Sequence, residues 1–199
     1  MAYFIKEELE KRVPNIVNDS IFNGTIRQFS EETLKSFSRF DSNKEYDIFL
    51  SHSYKDRKAV VGLLDLLSKE YNYTIYVDWI EDKELNRDNI NRETAQKLRE
   101  RMKKCKCLLY ATSDNATYSK WMPWEVGLMD GINGKVAICP FVSASNPSFK
   151  GQEYLSIYPT LNEARIQNTA TKCLWINDKN GEYVKFNSWL NGSTPYKHI

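Results

Sequence analysis

Three short segments hold most of the side chains that could do chemistry. The first is Ser51-His52-Ser53, directly after an apolar run. The second is Asp78-Trp79-Ile80-Glu81-Asp82, followed at a short interval by Asn91-Arg92-Glu93-Thr94. The third is Trp121-Met122-Pro123-Trp124-Glu125. A serine beside an imidazole suggests nucleophilic catalysis, but no G-x-S-x-G turn exists to present it, which disfavours a Ser–His hydrolase. The 8 glycines form neither G-x-G-x-x-G nor G-x-x-x-x-G-K-[ST], which disfavours a dinucleotide fingerprint or a P-loop. Cys105 and Cys107 make a C-x-C pair, but Cys139, Cys173, His52 and His198 lie far from it in sequence, so no metal site is expected. The cysteines read as reduced, small core residues. What remains is a set of carboxylates interleaved with tryptophans. Its chemistry depends on the elements that bring it together.

With 199 residues the chain is one domain with small extensions. Lys plus Arg is 28 and Asp plus Glu is 26, a net charge of +2 that points to no polyanionic partner. The basic run from Lys97 to Lys106 reads as a solvated helix face, and no nucleic-acid partner is expected. No apolar stretch is long enough to span a membrane, and the charged N-terminus lacks the core of a signal peptide, so a cytoplasmic protein is expected.

Residues 1–44 read as a polar helical extension, with Ser30 as a plausible N-cap. Tyr46–Leu50 reads as a buried parallel strand and Asp56–Tyr71 as a helix. Strands follow at Thr74–Val77, Cys107–Ala111, Val136–Cys139 (stopped by Pro140) and, shorter, Tyr154–Tyr158. Helices are expected over Asn91–Lys104 and Trp124–Met129, the latter ending near Gly131. The tail reads as a hairpin turning at Asn180-Gly181, then a last helical turn. Strands alternating with helices imply a parallel sheet covered on both faces, with ligands at the carboxyl ends of its strands. That rule selects the loops Ser51–Asp56, Asp78–Glu93 and Ser113–Glu125. A receiver domain shares this architecture but needs acidic residues where Ser51-His52-Ser53 stand.

The segments YDIFLSHS (46–53), YVDWIEDKELNR (76–87) and KWMPWEVGLMDG (120–131) together resemble the Toll/interleukin receptor homology (TIR) domain over about Tyr46 to Tyr158. They correspond to its box 1, its BB loop and, as written in a bacterial subgroup, its W-x-x-x-E segment, here Trp121 to Glu125. The resemblance implies a flavodoxin-like α/β fold with a central five-stranded parallel sheet and helices on both faces. The expected layout is a helical extension at 1–44, a TIR domain at 45–165, and a hairpin and helical tail at 166–199, with the extension and most of the tail outside the resemblance.

The same resemblance implies cleavage of the nicotinamide–ribose bond of NAD⁺, giving ADP-ribose or a cyclic isomer as an anti-phage signal. NAD⁺ would be the substrate, and no cofactor is implied. Nicotinamide leaves neutral, so no general acid is needed, and a carboxylate beside the ribose would stabilise the oxocarbenium charge. Glu93, after the BB loop and in a helix's first turn, is the expected catalytic carboxylate, and Glu125 is the alternative. Ser51, His52, Asp78, Trp79, Trp121 and Trp124 are the expected nucleotide-binding residues. The resemblance further implies self-association through TIR–TIR contacts and a downstream effector that reads the signal. A helical extension at 1–44 could restrain such an enzyme. Two other readings stay open: a non-catalytic TIR scaffold, and a nucleoside deoxyribosyltransferase-like enzyme.

Overall fold

The computed structural model describes residues 3–13, 40–77, 92–113, 119 and 121–198. The chain begins with β1 (Phe4–Ile5) and α1 (Lys6–Lys11). The main run follows as β2 (Tyr46–His52), α2 (Arg57–Asp65), β3 (Ile75–Tyr76), α3 (Arg92–Met102), β4 (Cys105–Thr112), α4 (Trp121–Asn133) and β5 (Val136–Val142). A 3₁₀ turn (Glu153–Ile157) precedes β6 (Thr160–Arg165), β7 (Lys172–Asn177), β8 (Tyr183–Lys185) and α5 (Phe186–Leu190). The sheet order is β3-β2-β4-β5-β6-β7-β8. The five strands from β3 to β6 are parallel, and β6, β7 and β8 are antiparallel. This is the mixed α/β, mainly parallel arrangement expected.

Period-two alternation divides the core into two layers. Ile48, Leu50, Cys107, Leu109, Ala111, Ala137 and Cys139 face α2, α1 and α5. Phe49, Leu108, Tyr110, Val136 and Ile138 face α3, α4 and the 3₁₀ turn. Continuous apolar runs result because both faces are covered. Cys105, Cys107 and Cys139 are buried and Cys173 half-buried, all as free thiols. Among the described residues no helix is long and apolar enough to cross a membrane.

Several elements differ from expectation. Tyr154–Tyr158 is not the fifth strand. Leu155 is buried and Tyr154 and Tyr158 pack beside it, a helical-turn pattern, and the fifth parallel strand starts after Pro159. Pro140 does not stop β5, because Ile138 N–H bonds Pro159 O and Pro140 faces the same side two residues later. There β6 has already departed, their register holding only Ile138↔Thr160, so no ladder donor is missing. α4 starts earlier and ends later than expected. It closes on Gly134 at φ +68°, and Gly131 lies inside the helix. A Cβ on Gly131 would meet nothing within 4 Å. Gly131→Ala is therefore expected to stabilise the protein by about 0.5–1 kcal/mol, read from urea unfolding midpoints.

The N-terminal segment is part of the sheet. β1 pairs with the end of β5, Phe4↔Phe141 and Ile5↔Val142. The Glu7 carboxylate accepts bonds from Ser143 Oγ (3.0 Å) and Ala144 N–H (3.2 Å), and Phe4, Leu9 and Val13 are buried. Arg12 reaches Asp65 and Glu70 on the α2 side. At the other end of the sheet, Asn180 and Gly181 both take positive φ, as the hairpin turn requires.

Asp47 ties three strands together at the start of β2. Its carboxylate accepts Thr74 N–H (2.9 Å), Thr74 Oγ1 (2.9 Å) and Lys106 Nζ (2.8 Å). Burial pushes its pKa up, but the bonds from Lys106 and Thr74 outweigh that and hold it below the usual carboxylate value. A depressed folded pKa stabilises above the unfolded value of about 3.9, and that contribution is lost as pH falls through the lower folded value. Wild type is thus expected to exceed Asp47→Asn in urea midpoint at pH 6, with the gap closing toward pH 2.

Candidate functional site

The site is built on the strand exits. Ser51 and His52 close β2, and in register they face Tyr110 and Ala111 of β4. Alternation puts Ser51 on the layer of Phe49, under α4. α4 buries Trp121, Met122, Glu125, Val126 and Met129, an i, i+1, i+4, i+5, i+8 stripe. Glu125 is the one acidic member of that stripe. Ser51 Oγ donates to Glu125 Oε2 at 2.5 Å, and both residues are wholly buried. A bond of this length fixes the carboxyl group against the sheet.

Tyr110 shares the face. Its hydroxyl lies 3.3 Å from that of Tyr154. Burial, then the Tyr154 hydroxyl, then the Glu125 charge push its pKa up, so Tyr110 stays protonated at neutral pH. His52 is buried, with Nδ1 3.3 Å from Leu50 O. Trp121 is buried and Trp124 half-buried, their rings edge-to-face at 5.4 Å. The Arg99 guanidinium sits 5.5 Å over the Trp124 ring.

Glu93 stands in the first turn of α3, outside that helix's buried stripe of Thr94, Leu98, Arg101 and Met102. Its side chain is 77% exposed and pairs with Lys97 at 3.5 Å. The structure thus joins Ser51 with Glu125, sets Tyr110 beside Ser51 in register, and turns Glu93 outward. Asp78 and Trp79 lie outside the described residues. Sequence reasoning passed over Tyr110; the signal was its position on the same face as Phe49 and Ser51. Among the described residues no cluster of His, Cys, Asp or Glu could hold a metal ion.

A second buried carboxylate lies at the same rim. Asp56, five residues after Ser51, accepts Ser113 N–H (3.3 Å), Ser113 Oγ (2.8 and 3.0 Å) and Lys6 Nζ (2.8 Å). The exits of β2 and β4 are thereby clasped together.

Comparison with known proteins bears on this arrangement. The profile of the Thoeris protein ThsB, TIR-like domain, matches residues 49–138, which include Ser51, Asp56, Glu93, Tyr110 and Glu125. A Bacillus cereus (strain MSX-D12) protein named probable 3′ cyclic ADP-D-ribose synthase ThsB′ is 46% identical over 157 residues, covering 78% of this chain and 81% of that protein. A Cytobacillus dafuensis protein named putative cyclic ADP-D-ribose synthase TIR2 is 29% identical over 131 residues, covering 59% of this chain and 34% of that protein. With strand exits, buried carboxylate and extended similarity in agreement, the chain belongs to the ThsB family of TIR-like domains of the Thoeris system.

Proposed function

We propose that this protein cleaves the nicotinamide–ribose bond of NAD⁺ and closes the ADP-ribosyl group into a cyclic ADP-ribose isomer that serves as a signal in anti-phage defence. The names of its relatives support the reaction class. The observation that carries the mechanism is the buried Ser51–Glu125 pair under α4.

The C–N bond breaks with its electron pair leaving on nicotinamide, which departs neutral. Positive charge develops on the ribose ring. Glu125, preorganised by Ser51 away from water, is the carboxylate we place against that charge, where a low local dielectric strengthens the attraction. A nucleophile within the same ADP-ribosyl group then closes the ring and releases one proton. Exclusion of water favours this internal attack over hydrolysis. Tyr110, held protonated, is a hydrogen-bond donor on the same face. Trp124 and His52 are proposed to line the nucleotide site, together with Asp78 and Trp79. No cofactor enters the reaction. Self-association through TIR–TIR contacts and an effector that reads the product complete the proposal.

The test incubates purified protein with NAD⁺ at high protein concentration and separates nicotinamide, ADP-ribose and cyclic product by chromatography. Wild type is expected to release nicotinamide and a cyclic co-product in equal amounts. Folded wild type that releases no nicotinamide would overturn the reading in favour of a scaffold. Nucleoside base exchange without NAD⁺ loss would favour a deoxyribosyltransferase.

A further inference from the structure

We propose that the N-terminal segment belongs to the catalytic rim, with Lys6 as a positioning residue that acts through Asp56 and Ser113. This rests on the functional reading above. Lys6 lies outside the span matched by the family profile, which begins at residue 49. Its ammonium nevertheless reaches a carboxylate inside that span. The Lys6 side chain is 27% exposed and the Asp56 side chain 0%.

Three observations converge on one place. Asp56 ends the segment that follows Ser51 and His52. Ser113 follows β4 directly, two residues after Ala111, the partner of His52 in register. It also precedes residues 114–120, which lead into α4 and so to Glu125. Asp56 grips Ser113 by both its N–H and its hydroxyl, and Lys6 supplies the opposite charge.

Lys6 is itself held from both sides. β1 is hydrogen-bonded beside β5, the strand next to β4, and the Glu7 carboxylate holds Ser143 and Ala144 beyond the end of β5. The Leu9 backbone lies against Gly62 of α2. A buried carboxylate whose countercharge is removed must protonate, take in water or move. Each of these weakens the grip on Ser113 and so on the near end of the connection to α4. The consequence falls on the placement of Glu125, which bears on the chemical step more than on substrate capture.

The experiment compares wild type with Lys6→Met, Lys6→Arg, Ser113→Ala and Arg12→Met. Arg12→Met cuts the ion pairs of the same segment to Asp65 and Glu70 and serves as the stability control. Initial rates over a range of NAD⁺ give kcat and KM separately, thermal midpoints report stability, and amide hydrogen exchange is read at Ser113. Lys6→Met is expected to lower kcat by about tenfold or more with KM changed by less than about threefold. Ser113→Ala should move in the same direction, and Lys6→Arg should recover most of the rate. Arg12→Met should lower the thermal midpoint with kcat retained.

Exchange at Ser113 should quicken in Lys6→Met and not in Arg12→Met. Unchanged kcat in Lys6→Met, or an equal loss in Arg12→Met at matched stability, overturns the inference while wild-type turnover leaves the functional reading intact. Should wild type itself lack turnover, the functional reading fails and the exchange data decide: unaltered protection of Ser113 in Lys6→Met overturns the positioning role, and a selective loss supports it.

Discussion

Glu125→Gln is expected to lower NAD⁺ turnover by about 10²–10³-fold, the range seen when one preorganised electrostatic group is removed from a developing charge. Glutamine keeps the volume of the side chain, and its amide oxygen can still accept from Ser51 Oγ. The stripe of Trp121, Met122, Val126 and Met129 around it is untouched. What disappears is the negative charge that we propose stands opposite the oxocarbenium ion. The thermal midpoint should hold or rise, since a wholly buried charge is costly to desolvate. Ser51→Ala removes one hydrogen bond to the carboxylate without discharging it, so its loss should be smaller. Glu93→Gln removes only an exposed group paired with Lys97, and its turnover should stay within about threefold of wild type, as surface ion pairs contribute little. Turnover abolished in Glu93→Gln and kept in Glu125→Gln would move the catalytic role to the first turn of α3.

Gly62→Ala should be among the most damaging single-methyl changes in this fold. Helix propensity alone favours alanine by about 1 kcal/mol at an interior helical position. Packing reverses the sign. An added Cβ would stand 2.0 Å from Leu9 O and 2.6 Å from Leu9 C, backbone atoms that move only if α1 moves. Overpacking of this kind typically costs about 1–3 kcal/mol, and displacing α1 also exposes Phe4, Leu9 and Val13. We expect a net destabilisation of about 2–4 kcal/mol in urea unfolding. Proteolysis near residues 3–13 should rise in parallel. Gly131→Ala, on a helix face with open space, supplies the opposite sign in the same experiment. A Gly62→Ala protein as stable as wild type would mean that α1 does not rest on α2 in solution.

The parallel sheet was readable because its strands are covered on both faces and so appear as unbroken apolar runs, as at Ile48–Leu50 and Cys107–Ala111. The hairpin was readable from Asn180-Gly181, whose backbone conformations few other pairs adopt. Boundaries failed where tertiary context overrides local preference. Pro140 looks like a stop, yet it sits where the neighbouring strand has left and no donor is needed. Gly131 looks like a cap, but the helix continues for two more residues to Asn133.

The same boundary difference concealed the burial of Glu125. With α4 begun at Trp124, Glu125 reads as a first-turn residue. Begun at Trp121, it falls at the centre of an apolar stripe, where an acidic side chain demands a reason. The Ser51 partnership joins residues 74 apart in sequence, and the Lys6–Asp56 pair residues 50 apart, so neither has a local signature. β1 was the least legible element. Two residues carry no periodicity, and only the end of β5 makes them a strand.

That pairing also sets an order of events on the ribosome. Glu7 and its partner Ser143 are separated by 136 residues, so the first strand waits through the synthesis of nearly the whole parallel sheet before its mate emerges. Closing so long a loop is slow and must follow the local helices and the inner strand pairs. A nascent chain with β2, β4 and α4 in place would still lack the β5 pairing that anchors the segment carrying Lys6. The anchor of the N-terminal segment is thus completed late in synthesis, and a translation product truncated before β5 would carry the Glu125 stripe without that anchor.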